Sequence, residues 1–243
     1  MSNPIRWLGR IGRSVVATVL RQDCFLCGSP AEDLLCAGCQ NSLPRLPAAL
    51  CPVCALPTPA ATACGACLSD PPHFDATLAA FYYRFPADKL VQALKYQARL
   101  PVARMLGHAL ADLTPVSADV LVPLPLHRDR LRERGFNQAL EIARPIAERW
   151  AIPIDVSSVV REFNGAPQAS LPVSDRHKNV RGAFLCRADL TGKSVLVVDD
   201  VMTTGATLNE FARELKKRAA VRVTNCVVAR TVLDQGRGNR CSF

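Results

Sequence analysis

Hydrophobic positions in the second half of the chain form short solid blocks separated by helical stripes. Residues 195–198 are an unbroken apolar run, and 221–228 are a second, valine-rich block interrupted by Arg222, Thr224 and Asn225. Blocks without strict alternation suit strands covered on both faces of a parallel sheet. Between them Leu208, Phe211, Ala212 and Leu215 recur at helical spacing, and Lys216, Lys217 and Arg218 follow where cations suit the negative end of a helix dipole. Upstream, 119–122 reads as a strand, 137–150 as a helix and 154–160 as another strand. Before these, 74–85 is extended and aromatic-rich. Two helices follow it, 87–99 with Leu90, Val91 and Leu94 inward, and 102–113, whose His108 reads as a surface or satisfied core histidine. Strand and helix alternate at βαβ spacing, which predicts an α/β fold with a parallel, doubly wound sheet flanked by helices.

The N-terminal third is different in kind. Residues 1–22 contain no acid; Arg6, Arg10, Arg13 and Arg21 lie on one helical stripe, and Ile5, Leu8, Ile11, Val15 and Val19 on another. A basic amphipathic helix of this kind can lie on a membrane surface or dock on the rest of the protein. With no lipidation and a short apolar face, docking fits better. Residues 23–70 carry four Cys-x-x-Cys pairs, Cys24/Cys27, Cys36/Cys39, Cys51/Cys54 and Cys64/Cys67, in a stretch too poor in large apolar residues to form a core. Paired thiolates at this spacing suit tetrahedral Zn2+, two pairs closing one site, so the segment predicts a small zinc module with two structural ions. Sequential pairing is simpler than interleaved pairing, and spacing leaves both open. A disulfide scaffold would require secretion, and a redox Cys-x-x-Cys would occur once beside a βαβ unit. Cys226 reads as a small buried hydrophobe, while Cys186 and Cys241 have no spaced partners. Pro71-Pro72 marks the boundary to an α/β domain over 71–232, and 233–243 reads as a loose tail.

Composition narrows the partners rather than the fold. At 243 residues, 49% hydrophobic, the chain can bury a sizeable core. Its formal charge of +9 favours anions: phosphorylated substrates, nucleic acid or an acidic membrane surface. No run reaches the length of a membrane span, and the apolar run 15–20 stops at Arg21 without a small-x-small cleavage site. Neither a transmembrane segment nor a signal peptide is expected, which makes a reducing cytoplasm the expected location.

Candidate chemistry gathers at 195–207. The apolar run ends at two adjacent acids, Asp199 and Asp200, and Val201 and Met202 lead into Thr203, Thr204, Gly205, Ala206 and Thr207 before the helix. Ligands of open α/β sheets sit at the carboxyl ends of strands. Backbone amides at a helix start, with threonine hydroxyls beside them, cradle an anion, and Gly205 lets the backbone approach it closely. Adjacent carboxylates accept hydrogen bonds from sugar hydroxyls, with Mg2+ nearby to offset the charge. A phosphorylated sugar fits this set of groups, better than an ordinary strand-to-helix turn with a threonine cap does.

Residues 195–207 resemble, without departure, the phosphoribosyl-pyrophosphate (PRPP) motif of type I phosphoribosyltransferases. Together with the cysteine pairs, Leu94-Lys95-Tyr96 and Arg134-Gly135-Phe136-Asn137-Gln138, the whole chain is similar to the competence-associated ComF family. The resemblance implies a type I phosphoribosyltransferase-like sheet in which Asp199 and Asp200 hold the ribose hydroxyls and residues 203–207 the 5′-phosphate. It also implies Mg2+ bound with PRPP, and pyrophosphate on the loop carrying Arg134 and Gly135. Arg128, Arg130 and Arg132 in that loop read as a solvated charge run paired with Asp129 and Glu133. The connection 163–184 would close over PRPP; its Gln168, Arg176 and Asn179 match the family's polar positions, and Arg176 and Lys178 are the loop's candidates for a catalytic role. His127 and His177 are possible proton carriers with no partner acid in view.

Two functions compete. One is transfer of the phosphoribosyl group from PRPP to a nucleobase-like acceptor with release of pyrophosphate, in a setting of DNA uptake or DNA-derived nucleotides. The other is a non-catalytic, PRPP-regulated protein that handles single-stranded DNA beside the uptake machinery; the chain shows no interleaved aromatic and basic stripe for it. A docking adaptor is a weaker third. Too little chain follows the last strand to build a base-reading hood, which makes the zinc module a candidate lid.

Overall fold

The computed structural model describes residues 22–162 and 181–232. The basic N-terminal stripe, the connection residues Gln168, Arg176, His177, Lys178 and Asn179, and the tail with Cys241 lie outside the described residues. Two compact units divide between Leu43 and Pro44.

The smaller unit is nearly all turns. Among its described residues it has a two-residue antiparallel ribbon, β1 (Gln22–Asp23) with β2 (Pro30–Ala31), and one short helix, α1 (Ala37–Asn41). Gly28 takes φ +72°, and its N–H donates to the Cys24 carbonyl at 2.8 Å, folding the first cysteine pair into a knuckle.

In the larger unit four strands form one parallel sheet: β3 (Ala76–Tyr82), β4 (Val120–Pro123), β7 (Ser194–Met202) and β8 (Arg222–Arg230), in the order β3-β8-β7-β4. Helices α3 (Ala87–Gln97), α4 (Leu100–Ala111), α6 (Gln138–Trp150) and α7 (Ala206–Lys217) cover it. Val195 and Val197 cluster with Phe211, Leu215, Val223 and Val227 on the α7 side. Leu196 and Val198, equally buried, point to the opposite face by strand alternation, where α4 and α6 pack. The unbroken apolar run is therefore a strand buried on both faces, as its pattern predicts. Where α4 meets α6, a Cβ on Gly107 would stand 2.5 Å from the Ile142 carbonyl oxygen, so only glycine allows this approach.

The outer edge of β3 is covered by chain that precedes it. The Tyr82 N–H donates to the Pro44 carbonyl at 2.8 Å, the Leu46 N–H to the Ala80 carbonyl at 3.3 Å and the Thr77 N–H to the Pro52 carbonyl at 3.2 Å. A sheet edge left bare would offer unpaired backbone groups to other chains. The short helix α2 (Gly65–Ser69) lies between this covering segment and β3 in the chain and carries buried Cys67.

Three expectations are corrected. Residues 154–160 do not form a strand of the parallel sheet. Ile154 makes an isolated parallel bridge to Leu121, and the Asp155 carboxylate then accepts from the Ser157 and Ser158 N–H groups at 2.9 and 3.0 Å. That side-chain turn breaks the strand. The chain resumes as β5 (Val159–Arg161), antiparallel to β6 (Phe184–Cys186). The arginine-rich stretch is not a plain loop but a helix, α5 (Arg128–Arg134), capped by His127, whose Nδ1 accepts from the Asp129 N–H at 3.3 Å. Finally β7 does not stop at its acids, because β8 keeps pairing with it as far as Met202 opposite Arg230.

Candidate functional site

The acids stand where two strands part. β4 accompanies β7 only as far as Pro123 opposite Val198, while β8 runs on, so Asp199 and Asp200 have no strand partner on the β4 side. A crevice of this kind at the carboxyl end of a parallel sheet is the ordinary place for a ligand. The Asp200 N–H donates to Asp199 Oδ1 at 2.8 Å, and the buried Asp200 carboxylate pairs with Lys95 Nζ at 2.8 Å. Burial lowers the pKa of the Lys95 ammonium, but Asp200 and Asp199 outweigh burial and leave it above the usual value. Asp199 is shifted toward its neutral form: burial, then the charge of Asp200, push it up to about 7 against the pull of Lys95, the Asp200 amide and Arg161.

Beyond Met202 the chain turns through Thr203, Thr204 and Gly205 into α7. Gly205 caps the helix at φ +93°, a left-handed conformation that a side chain would strain. Thr204 Oγ1 accepts from the Ala206 N–H at 3.3 Å, which fixes the turn and leaves the hydroxyl-bearing Thr203 and Thr207 partly exposed. First-turn amides of a helix have no partner within it, so this turn can receive an anion. Gly135 (φ +77°) ends α5, and the Arg134 guanidinium lies 5.9 Å from the centre of the Tyr96 ring. Tyr96 adjoins Lys95, so Arg134 and Asp200 each contact the C-terminal end of α3. Asn137 holds this arrangement: its Oδ1 accepts from the Ala139 N–H at 2.9 Å to cap α6, while its Nδ2 donates to the Leu124 carbonyl at 3.1 Å.

Sequence reasoning gave no role to three further cations. Lys95 was visible only as the middle of Leu94-Lys95-Tyr96. Arg161 sits near Asp199 and Arg130; burial lowers its pKa, with Arg130 adding to that and Asp199 opposing it. Arg130 is half-buried, whereas exposed Arg132 pairs with Asp129 at 3.8 Å as expected. Arg230, at the end of β8, is completely buried. Its one signal in sequence was an arginine closing an apolar strand.

The cysteines group sequentially. Cys24, Cys27, Cys36 and Cys39 form one cluster, and Cys51, Cys54, Cys64 and Cys67 another, with the sulfur atoms of each within 4.8 Å of one another. All are free thiols. Backbone amides already favour a thiolate in the second cluster: Cys51 accepts the Cys64 N–H at 3.3 Å. Burial raises its pKa, but the amides of Cys54, Cys64 and Val53 bring it down to about 7. In contrast Cys54 is pushed up to about 12 by burial, and Cys39 to about 12 by its neighbours, Cys27 first. Four thiols this close cannot all ionise without a cation, and a divalent metal that accepts soft ligands fits both sites. Cys226 is a buried hydrophobe as expected, its thiol pushed up to about 12 by burial.

Comparison with known proteins agrees with this layout. Residues 137–239 match the phosphoribosyl transferase domain, and residues 15–68 match the double zinc ribbon domain. The DNA utilization protein YhgH of Escherichia coli (strain K12) is 30% identical over 221 residues, spanning 86% of this chain and 97% of its own. The chain belongs to the ComF family. Other ComF relatives include competence protein F of Haemophilus influenzae, 30% identical over 77% of this chain and 86% of its own length. Competence protein ComFC of Bacillus subtilis is 24% identical over 82% of this chain and 85% of its own. The ComF chain thus combines a phosphoribosyltransferase-type domain, built on the parallel sheet, with a double zinc ribbon. Among its described residues no helix is long and apolar enough to cross a membrane.

Proposed function

We propose that this protein binds PRPP with Mg2+ and transfers its phosphoribosyl group to a nucleobase-like acceptor, releasing pyrophosphate, in the service of DNA uptake or the reuse of DNA-derived nucleotides. The supporting observation is convergence: Asp199, Asp200, Lys95 and the turn 203–207 meet at one parted sheet end. The two carboxylates accept hydrogen bonds from the ribose hydroxyls. Amides and hydroxyls of 203–207 take the 5′-phosphate. Arg134 supplies positive charge where pyrophosphate leaves. Mg2+ arriving with PRPP offsets the remaining charge of the anions. A ring nitrogen of the acceptor forms the new bond to C1 of the ribose as the bond to pyrophosphate breaks, and the departing oxygen keeps the electron pair. Such a displacement needs alignment and charge stabilisation more than covalent help. Two structural zinc ions fill the four-cysteine sites, and a reducing cytoplasm keeps their thiols available.

Titration calorimetry with PRPP and Mg2+ tests the site. Asp199→Asn/Asp200→Asn should bind at least about a hundredfold more weakly, two charge-assisted contacts being lost; normal binding would remove the assignment. Pyrophosphate release, screened over a panel of bases, tests transfer. The names of the relatives and the +9 charge favour one second reading, a PRPP-regulated single-stranded-DNA-handling protein. Salt-sensitive binding of single strands, with no pyrophosphate release from any base, would select it.

A further inference from the structure

Arg230 is the only fully buried cation among the described residues, and every hydrogen bond it makes there goes to a backbone carbonyl. Nε donates to Cys54 at 2.8 Å, and Nη1 donates to Met202 at 3.0 Å, to Thr203 and to Thr231 at 2.9 Å. Nη2 is buried without a hydrogen-bond partner, and no carboxylate among the described residues pairs with the guanidinium. An arginine cannot shed its charge, and burying one without a counter-charge is costly. Its neighbour Cys54 is a ligand of the second four-cysteine site, and four thiolates around a divalent cation leave a net dianion. Met202 and Thr203, on its other side, are the residues from which the anion-binding turn begins.

We propose that the second zinc centre is part of the PRPP site: its tetrathiolate is the counter-charge of Arg230, and Arg230 sets the Met202–Thr203 backbone from which the phosphate turn springs. Arg230 is a positioning residue, since it touches neither phosphate nor metal. The link to PRPP rests on the function proposed above; the link between zinc and the turn does not.

The experiment uses the full chain loaded with two zinc ions and compares it with Arg230→Lys, which keeps the charge and loses the fork, and with Arg230→Met. Circular dichroism and zinc content establish which variants fold. Zinc release to a chromophoric chelator, backbone amide signals of 203–207, and calorimetry with PRPP and Mg2+ are then read. Arg230→Lys should release the second zinc at least about fivefold faster, shift the amides of Thr203 and Thr204, and bind PRPP about tenfold more weakly. Stripping the second zinc from the parent should shift the same amides, and should have a smaller effect on Arg230→Met or Arg230→Lys, whichever folds. Unchanged amides on stripping, or zinc release unaltered in a folded variant, would overturn the coupling. A zinc-loaded parent that does not bind PRPP would sink the functional reading instead, and the coupling would be judged by zinc release and amide signals alone.

Discussion

The two cysteine clusters have the same ligand spacing and different surroundings. The first lies in a unit of turns: Cys24 is buried, Cys27 is exposed, and Cys36 and Cys39 are half-buried. The second has Cys51, Cys54 and Cys67 buried in the larger unit's hydrophobic cluster, which also holds Phe74, Val122 and Phe184. Its loop covers the edge strand β3 through Pro52 and reaches the end of β8 through the Cys54 carbonyl. One metal site is thus a module's substitute for a core, while the other is a component of a core that already exists. Cysteine count and spacing identify ligands, but the chain around them decides what the metal holds together.

The largest effect expected from breaking this comparison comes from Cys51→Ser/Cys54→Ser. It should lower the zinc content by one ion and destabilise the α/β unit by roughly 5 kcal/mol or more, since a structural zinc contributes directly to folding. Thermal unfolding followed at the sheet's amide signals reads this; an α/β unit that melts normally would make the second site as modular as the first. Gly107→Ala supplies a reference from the same unit away from metal, with about 2 kcal/mol of destabilisation expected where its Cβ meets the Ile142 carbonyl. A smaller effect is tied to pH. Because Asp199 is raised to about 7, the folded state holds that proton more tightly than the unfolded chain. The group's contribution to stability is therefore full below the ordinary aspartate pKa and lost as pH rises toward about 7. Asp199→Asn should flatten this decline and raise the melting temperature at about pH 8; a lower one would mean that Lys95 more than compensates the paired acids. The smallest effect is expected from Cys27→Ser/Cys39→Ser: one zinc ion lost, with the melting of the α/β unit unchanged within about 0.5 kcal/mol.

Much of this was legible in sequence, for reasons of range. Local signals carried: the unbroken valines of β7, the helical stripe of α7, the left-handed glycine before it, and cysteine pairs whose nearest neighbours in sequence are also nearest in space. What failed depended on partners far along the chain. Asp199 and Asp200 looked like a strand end because nothing local says that β8 continues beside them. Residues 154–160 were rich enough in β-formers to read as a strand, although Asp155, Ser157 and Ser158 already offered a turn. The charged residues around Arg130 hid a helix whose apolar side is a single leucine, Leu131. Lys95 and Arg230 are ordinary cations until the fold delivers Asp200 to one and the Cys54 carbonyl to the other.

The position of β8 also bears on how the molecule is made. It is the last of the described strands to leave the ribosome, yet it lies between β3 and β7. While the chain is being synthesised, β3 has only its covering segment and the metal-binding loop, and β7 has only β4. The two halves of the sheet must wait for one late segment to join them, a pairing between distant parts of the chain that folds slowly. A nascent chain stopped before Arg222 would keep its cysteine knuckles but have no means of bringing the turn at Thr203 to the loop of Cys54.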